Sequence, residues 1–214
     1  MEVRVALTER LGIIATKDGY ADINFDSLLP DENGFANISI GFKYAVISRP
    51  EIEGILTVGI EYELPIGDLR TNGISLQGDG DGFVDLFISG AKAFDKLGIQ
   101  ASTGFNLAID QNHDSSLFHY SAHLDYEVLP RLFPLIELNG FTTIEKGNRT
   151  PVNFEGIDLV NFGSLESGTV MTFTAGARYR ATNHIQIGAG YETPLTNRKD
   201  IMAWRVYADL VISY

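Results

Sequence analysis

The sequence MAWRVYADLVISY, residues 202–214, closes the chain and decides between two kinds of fold. Steps of two back from the last residue pass only through apolar positions, namely Tyr214, Ile212, Leu210, Ala208, Val206, Trp204 and Met202. The positions between them include Arg205 and Asp209. This period of two is typical of a β-strand with one apolar and one polar face. A soluble barrel turns the apolar face inward and a membrane barrel turns it toward lipid.

The same alternation recurs along the whole chain of 214 residues. Ten segments show it, at 2–13, 35–47, 54–65, 83–94, 97–109, 117–128, 132–143, 169–181, 184–194 and 201–214. Their lengths suit strands that cross a bilayer at a tilt. We therefore predict an all-β, antiparallel up-and-down transmembrane β-barrel of about ten strands in a single domain, 1–214. The alternative is a twelve-stranded barrel from which an amino-terminal hairpin has been trimmed.

The connections between these segments are sorted by length. Short turns at 48–53, 95–96, 129–131 and 182–183 alternate with longer connections, which are 14–34, 66–82, 110–116, 144–168 and 195–200. All short turns then lie at one end of the predicted barrel, as the periplasmic turns of outer-membrane barrels do. Aromatic residues sit on the apolar set near strand ends, where membrane interfaces favour them, at Tyr44, Tyr62, Phe94, Tyr126, Tyr179, Tyr191 and Tyr214.

Composition narrows the function classes further. The chain has a net charge of −12 and no basic run, which argues against nucleic acid as a partner. It has no cysteine, so thiolate metal sites are excluded, and we expect no metal and no cofactor. No apolar stretch reaches the ~18 residues that a membrane-spanning helix requires.

The end of the chain resembles the carboxy-terminal assembly signal of bacterial outer-membrane proteins. The matching residues are Val206, Ala208, Leu210, Ile212 and the aromatic Tyr214, where phenylalanine is the usual last residue. This resemblance implies a Gram-negative outer membrane as the location. It also implies the barrel assembly machinery, membrane lipid and lipopolysaccharide as partners.

Several longer stretches resemble the outer-membrane transporter family named for the MetA pathway of phenol degradation. They are FANISIGFKYAVI at 35–47, GILTVGIEYELPIG at 54–67, TFTAGARYRATNHIQIGAGYETPLTNR at 172–198, and the Trp-Arg-x-x-x-Asp-Leu pattern of the last strand. The resemblance covers most of the chain and is more specific for fold than for solute. It implies a porin-like channel or transporter for a small molecule, with an aromatic or hydrophobic compound as a candidate.

If the apolar set faces lipid, the other set lines the lumen. The charged or titratable residues of this predicted lining are Arg4, Lys43, Glu61, Glu63, Asp85, His119, His123, Asp125, Glu127, Glu137, Arg178, Arg180, Glu192, Arg205 and Asp209. Such a lining indicates a polar conduit whose charges select the solute. An equally weighted alternative is an occluded structural or binding barrel, bridged inside by ion pairs, that acts through its external loops.

Two further hypotheses concern chemistry at the predicted lumen. His119 and His123 lie four residues apart on one strand, about 13 Å along it, which is too far for both to bind one metal ion directly. Ser121 and His123 raise the possibility of an outer-membrane hydrolase, but same-strand residues two apart are normally outside hydrogen-bond reach. No Gly-x-Ser-x-Gly motif is present. We therefore expect the chain not to be an enzyme.

Overall fold

The computed structural model describes residues 2–17, 20–23, 30–49, 51, 53–78, 80–151, 161–164, 168–199 and 202–213. These ranges contain the strands β1 (Glu2–Ala6), β2 (Leu11–Lys17), β3 (Tyr20–Ile23), β4 (Glu32–Phe35), β5 (Ile38–Arg49), β6 (Gly54–Leu64), β7 (Arg70–Thr71), β8 (Ile74–Ser75), β9 (Phe83–Phe94), β10 (Leu97–Ala108), β11 (Ser116–Tyr126), β12 (Leu132–Glu145), β13 (Gly168–Arg180), β14 (Ile185–Pro194) and β15 (Arg205–Ile212). Within the same ranges, no helix has the length and apolar character needed to cross a bilayer.

Eleven strands form one antiparallel sheet in chain order, β1-β2-β5-β6-β9-β10-β11-β12-β13-β14-β15. The strand pairs β3-β4 and β7-β8 form two small separate sheets within the long connections. Each strand of the large sheet pairs with its neighbours in sequence, as an up-and-down arrangement requires. The predicted fold class, an all-β, antiparallel up-and-down barrel of about ten strands, is confirmed in its strand type, order and approximate number, although the sheet is not closed by pairing among the described residues.

The first predicted segment, 2–13, is wrong as a single strand, because the chain reverses inside it to form β1 and β2. At the reversal, the Thr8 hydroxyl oxygen accepts hydrogen bonds from the N–H groups of Arg10 and Leu11, at 3.2 and 3.0 Å. Val3, Val5, Leu7, Leu11 and Ile13 all occupy odd positions, so the apolar residues keep the same parity on both sides of the turn, and only Glu9 breaks the series. Because residues 7–10 contain no Gly, Pro or Asn, this single polar residue was not recognised as a reversal.

The two edge strands of the large sheet are β1 and β15. Successive strands alternate in direction, so the first and eleventh strands point the same way. Among the described residues, these two edges share no ladder of paired residues. A direct antiparallel pairing between them is geometrically impossible.

One face of the large sheet is apolar and exposed. Large side chains on it include Phe42, Ile60, Ile88, Phe105 and Ile136, with exposed fractions between 44% and 52%. The predicted aromatic residues of this set are likewise exposed, and these are Tyr44, Tyr62, Phe94, Tyr126, Tyr179 and Tyr191. Tyr214 lies outside the described residues. We call this surface the outer face, and its burial in hydrocarbon would remove a continuous apolar band from water.

The connections follow the predicted sorting. Turns at one end of the sheet join β1 to β2, β5 to β6, β9 to β10, β11 to β12 and β13 to β14. The turn between β9 and β10 consists of two residues, and its Asp95 has a φ of 55°. All the long connections, including those that contain β3, β4, β7 and β8, therefore lie at the opposite end.

An arginine on the outer face should destabilise the protein in lipid. Ile88→Arg places a charge near the middle of β9, and we expect the free energy of unfolding in vesicles to fall by about 2–4 kcal/mol. Gln100→Arg, which adds the same charge to the opposite face of β10, is the control and should change it by less than about 1 kcal/mol. Urea titration of both variants checks the result, and equal losses would contradict the assignment of the faces.

Candidate functional site

The second face of the large sheet, which we call the interior face, carries the polar side chains. Tyr207 on β15 donates a hydrogen bond to Glu137 on β12 at 3.2 Å, although two strands lie between them. Thr16 on β2 likewise reaches Glu61 on β6 at 3.3 Å. Side chains on strands that are not neighbours can meet in this way only on the concave side of a curved sheet. The interior face is therefore concave.

His123 is the centre of one interior network. Its Nδ1 lies 2.6 Å from Glu137 Oε1, and its Nε2 lies 3.2 Å from Asp125 Oδ2. Tyr207 donates to the other oxygen of Glu137. Each ring nitrogen thus faces a carboxylate, so the ring is held between β12 and its own strand. A second histidine, His119, has Nε2 3.0 Å from Asp85 Oδ2.

Two arginine–carboxylate pairs join the last three strands of the sheet. Arg205 donates from Nε and Nη2 to Glu192 Oε2, at 2.8 and 2.7 Å, and the Thr172 hydroxyl donates to Glu192 Oε1 at 2.5 Å. Glu192 is only 1% exposed, so its charge depends on these partners. The other pair joins Arg178 Nη2 to Asp209 Oδ2 at 2.5 Å. Arg178 Nε and Asp209 Oδ1 are buried and have no hydrogen-bond partner among the described residues.

The predicted lumen residues fall into three groups. A cavity of about 610 Å³ on the interior face brings together Arg4, Lys43, Glu61, Asp85, His119, His123, Glu137 and Arg178. An adjoining cavity of about 320 Å³ is lined by Glu137, Arg178, Glu192, Arg205 and Asp209. The other four predicted residues lie beside them: Asp125 contacts His123, Glu63 lies at the loop end of β6, and Glu127 and Arg180 lie near the turn end.

The interior also contains a row of uncharged polar residues, most of which the sequence analysis did not single out. Strand register places Thr57 opposite Ser89, Ser89 opposite Ser102, Ser102 opposite Ser121, Ser121 opposite Asn139, and Asn139 opposite Thr172. We call Thr57, Ser89, Ser102, Ser121, Asn139 and Thr172 the neutral row. Hydroxyl pairs within it are Thr57–Ser89 at 2.6 Å and Ser102–Ser121 at 2.8 Å. Only register reveals the row, because its members are far apart in sequence.

Glycines on the interior face make room for large side chains to lie flat against the wall. A Cβ at Gly59 would meet the Phe87 ring at 2.2 Å, and one at Gly190 would meet the Tyr207 ring at 2.8 Å. Asp209 covers Gly188 in the same way. Because the bulky groups fill recesses above glycines, they project less into the cavities than they would from a wall of larger residues.

The described parts of the long connections form a packed structure at the loop end, which we call the cap. Its hydrophobic cluster contains Ala36, Leu69, Leu76 and Phe162, with Ile23 and Ile74 packed against it. Ala36 precedes β5 and Phe162 follows β12, and these two strands are five positions apart in the sheet. Neighbouring strands are separated by about 4.8 Å, so the two attachment points lie about 24 Å apart along the sheet. The connections must therefore extend over the concave side to meet.

Polar contacts hold the cap together and fasten it to the sheet. Arg149 donates to the carbonyls of Ser75, at 2.7 Å, and of Asn161, and its Nε lies 3.5 Å from the buried Asp114. Asn37 donates from Nδ2 to Glu63 Oε1 at 2.8 Å. Glu63 belongs to β6, so this bond connects the cap to the rim of the interior face.

The connection between β10 and β11 is ordered by a local carboxylate–histidine contact. Asp110 Oδ2 lies 2.7 Å from His113 Nδ1. Desolvation raises the pKa of Asp110, but hydrogen bonds from the Asn112 N–H and from His113 outweigh it, so the pKa lies below its ordinary value. The charged form of Asp110 is therefore favoured, which stabilises the turn that carries the buried Asp114.

The geometry of the interior face bears on the metal-site hypothesis and on the hydrolase hypothesis. Among the described residues, no three His, Asp or Glu side chains are grouped as a metal site would require. The Ser121 hydroxyl pairs with Ser102, whereas the two nitrogens of His123 face Glu137 and Asp125. The arrangement supports polar binding by the interior face, and the Ser121–His123 pair is not assembled as a nucleophile and base.

Comparison with known proteins gives solved structures of similar fold, among them a porin structure. No family model matches the chain, and no curated protein matches it. The structure described as a NanC porin in a rhombohedral crystal form superimposes with a TM-score of 0.56. The alignment covers 95% of this chain and 93% of that chain at 7% sequence identity. At this identity the likeness concerns the fold alone, which is therefore that of a porin barrel.

Removal of Arg205 should expose the dependence of Glu192 on its partner. Arg205→Ala leaves a buried carboxylate without its cation, and we expect the free energy of unfolding in micelles to fall by about 2–3 kcal/mol, since Arg205 itself is half exposed. Combination with Glu192→Gln, which removes the charge, should restore part of the loss. Arg180→Ala, at the exposed end of β13, is the control and should cost less than about 1 kcal/mol. Equal destabilisation of the single and double variants would show that the pair is not the cause.

A second variant tests the cap. Phe162→Ala removes a ring that is 3% exposed, and such changes typically cost about 3–5 kcal/mol in a packed core. We expect faster hydrogen exchange at the Leu76 and Asn161 amides and unchanged protection in β9 to β12, since the cap is a separate cluster. Phe35→Ala, at a ring that is 52% exposed, is the matched control. Faster exchange throughout the sheet would mean that cap and sheet unfold as one unit.

Proposed function

We propose that this chain is a bacterial outer-membrane channel that gives small polar solutes a passive route through the bilayer. The observation that carries the proposal is the contrast between the two faces of one sheet, with bulky apolar groups outside and charged and hydroxyl groups around cavities inside. The porin fold supports the same conclusion. In this proposal lipid and lipopolysaccharide surround the outer face, and the barrel assembly machinery inserts the chain.

The resemblance to the MetA-pathway transporter family implied an aromatic or hydrophobic compound as a candidate solute. The comparisons confirm neither this family nor an aromatic solute. The cavities are lined mainly by carboxylates, arginines, histidines and hydroxyls, and this chemistry suits polar solutes. We therefore propose a channel whose solute is a polar molecule.

A second candidate function is an occluded barrel that acts through its external surface. The cap is the observation that favours it, because a hydrophobic cluster links connections from opposite parts of the sheet. The two functions differ in a measurable way, since a sealed barrel passes no ions. If wild-type protein gives no current steps in planar bilayers but Phe162→Ala does, the cap is the seal.

Ion selectivity tests the conduit and its lining. Eight of the predicted interior residues are carboxylates and five are arginine or lysine, so we expect a preference for cations. Asp85→Lys should move the reversal potential in a salt gradient toward that of anions, by roughly two- to fivefold in permeability ratio, because charge in a narrow polar lumen is poorly screened.

Lys92→Glu, on the outer face beside Phe94, reverses a charge of the same size and is the control. It should leave the reversal potential unchanged. If both variants shift the reversal potential equally, the interior face does not line the ion path.

A further inference from the structure

The neutral row and the residues beside it have the chemistry of a binding site for a hydroxyl-rich solute. We propose that the interior cavity binds small uncharged polyhydroxylated molecules, such as sugars, on the neutral row and the adjacent aromatic side chains. This inference rests on the proposed function, since it names the class of solute that the conduit accepts.

The first observation is the composition of the row. Thr57, Ser89, Ser102 and Ser121 all line the 610 Å³ cavity, and Asn139 lines the adjoining one. Hydroxyl and amide groups both donate and accept hydrogen bonds, as the hydroxyl groups of a sugar do. The Thr57–Ser89 and Ser102–Ser121 pairs can therefore exchange their mutual bonds for bonds to a solute at little net cost.

The second observation is an aromatic row one step nearer the loop end. Register places Phe87 and His119 on either side of Gly104, and Phe141 opposite His119. Phe87 is two residues from Ser89, and His119 is two residues from Ser121, which separates the rows by about 7 Å. A sugar ring has apolar C–H faces and a rim of hydroxyls. It can therefore pack on the Phe87 ring while its rim reaches the neutral row.

The third observation concerns the charges on the turn side of the neutral row. The next row contains His123, Glu137, Glu192 and Arg205, which bind one another. Paired charges attract a free ion weakly but still offer oxygen and nitrogen atoms for hydrogen bonds. Because carboxylates are in excess on the interior face, a solute that carries its own carboxylate should be disfavoured.

The cavity volume is compatible with this class of solute. A cavity of about 610 Å³ lies within the range of about 300–1,000 Å³ typical of small-molecule sites. The Phe87 ring lies flat over Gly59, which leaves that space open. Gly59→Ala, which would push the ring into the cavity, should therefore weaken binding, because it both reduces the space and displaces the Phe87 surface on which the sugar packs.

The test is the current through wild-type protein in planar bilayers, titrated with glucose, gluconate and a short polyethylene glycol. Glucose should reduce the current along a saturating curve, because it occupies a site. Gluconate, which adds a carboxylate, and the glycol, which has few hydroxyls, should reduce the current only in proportion to their effect on bulk conductivity. A proportional effect of glucose as well would overturn the inference while leaving the channel function intact.

Variants assign the effect to the site. Ser102→Ala combined with Ser121→Ala removes one hydroxyl pair and should weaken glucose binding at least about fivefold. Thr103→Val, which removes an outer-face hydroxyl from the same strand, should leave it unchanged. Circular dichroism and the heat-dependent electrophoretic mobility typical of folded β-barrels show that each variant is folded. Equal glucose binding in all of them would overturn the assignment.

Equilibrium binding separates the inference from the proposed function. If the protein conducts no ions, calorimetric titration of the micellar protein with glucose still tests the site. Binding that the serine double variant loses would support the site and contradict the conduit. Absence of binding would overturn the inference.

Discussion

The outer face determines what the rest of the sheet can do, because hydrocarbon accepts apolar side chains and excludes unpaired polar ones. In the strands of a transmembrane barrel every second residue makes that contact, and Ile88 and Phe105 lie on the exposed apolar face that would do so. Charged and hydrogen-bonding groups are left with the alternate positions. All the chemistry of the long strands is therefore concentrated on one concave surface, where residues from distant strands meet.

Crowding on that surface is relieved in two ways. Opposite charges bind one another, as Arg205 and Glu192 do, so a buried carboxylate is stabilised by the residue directly opposite it on the neighbouring strand. Bulky groups also lie over glycines, as Phe87 lies over Gly59. Both arrangements hold side chains against the wall. The cavities thus survive in a sheet whose small circumference would otherwise fill with side chains.

Much of this architecture could be predicted from the alternation of apolar and polar residues. The features that the alternation did not predict were missed for physical reasons. The period of two placed β9 at 83–94, the bounds that the structure gives. It missed the turn between β1 and β2 because apolar residues keep one parity through it. It assigned faces but not register, so Ser89 and Ser102 could not be recognised as neighbours. The period of two could not predict the cap, because Leu76 and Phe162 belong to connections without any period. These two residues meet only in the folded chain.

The cap and the sheet are held by different interactions, and this difference connects the two candidate functions. The sheet is held by ladders of backbone hydrogen bonds along its length, whereas the cap depends on a few buried side chains and on contacts such as Asn37 with Glu63. Elements with few buried apolar contacts open at lower free energy than the body of a protein. We therefore expect the cap to open at a lower free energy than the sheet. In the proposed channel, opening of the cap then requires no change in the sheet itself.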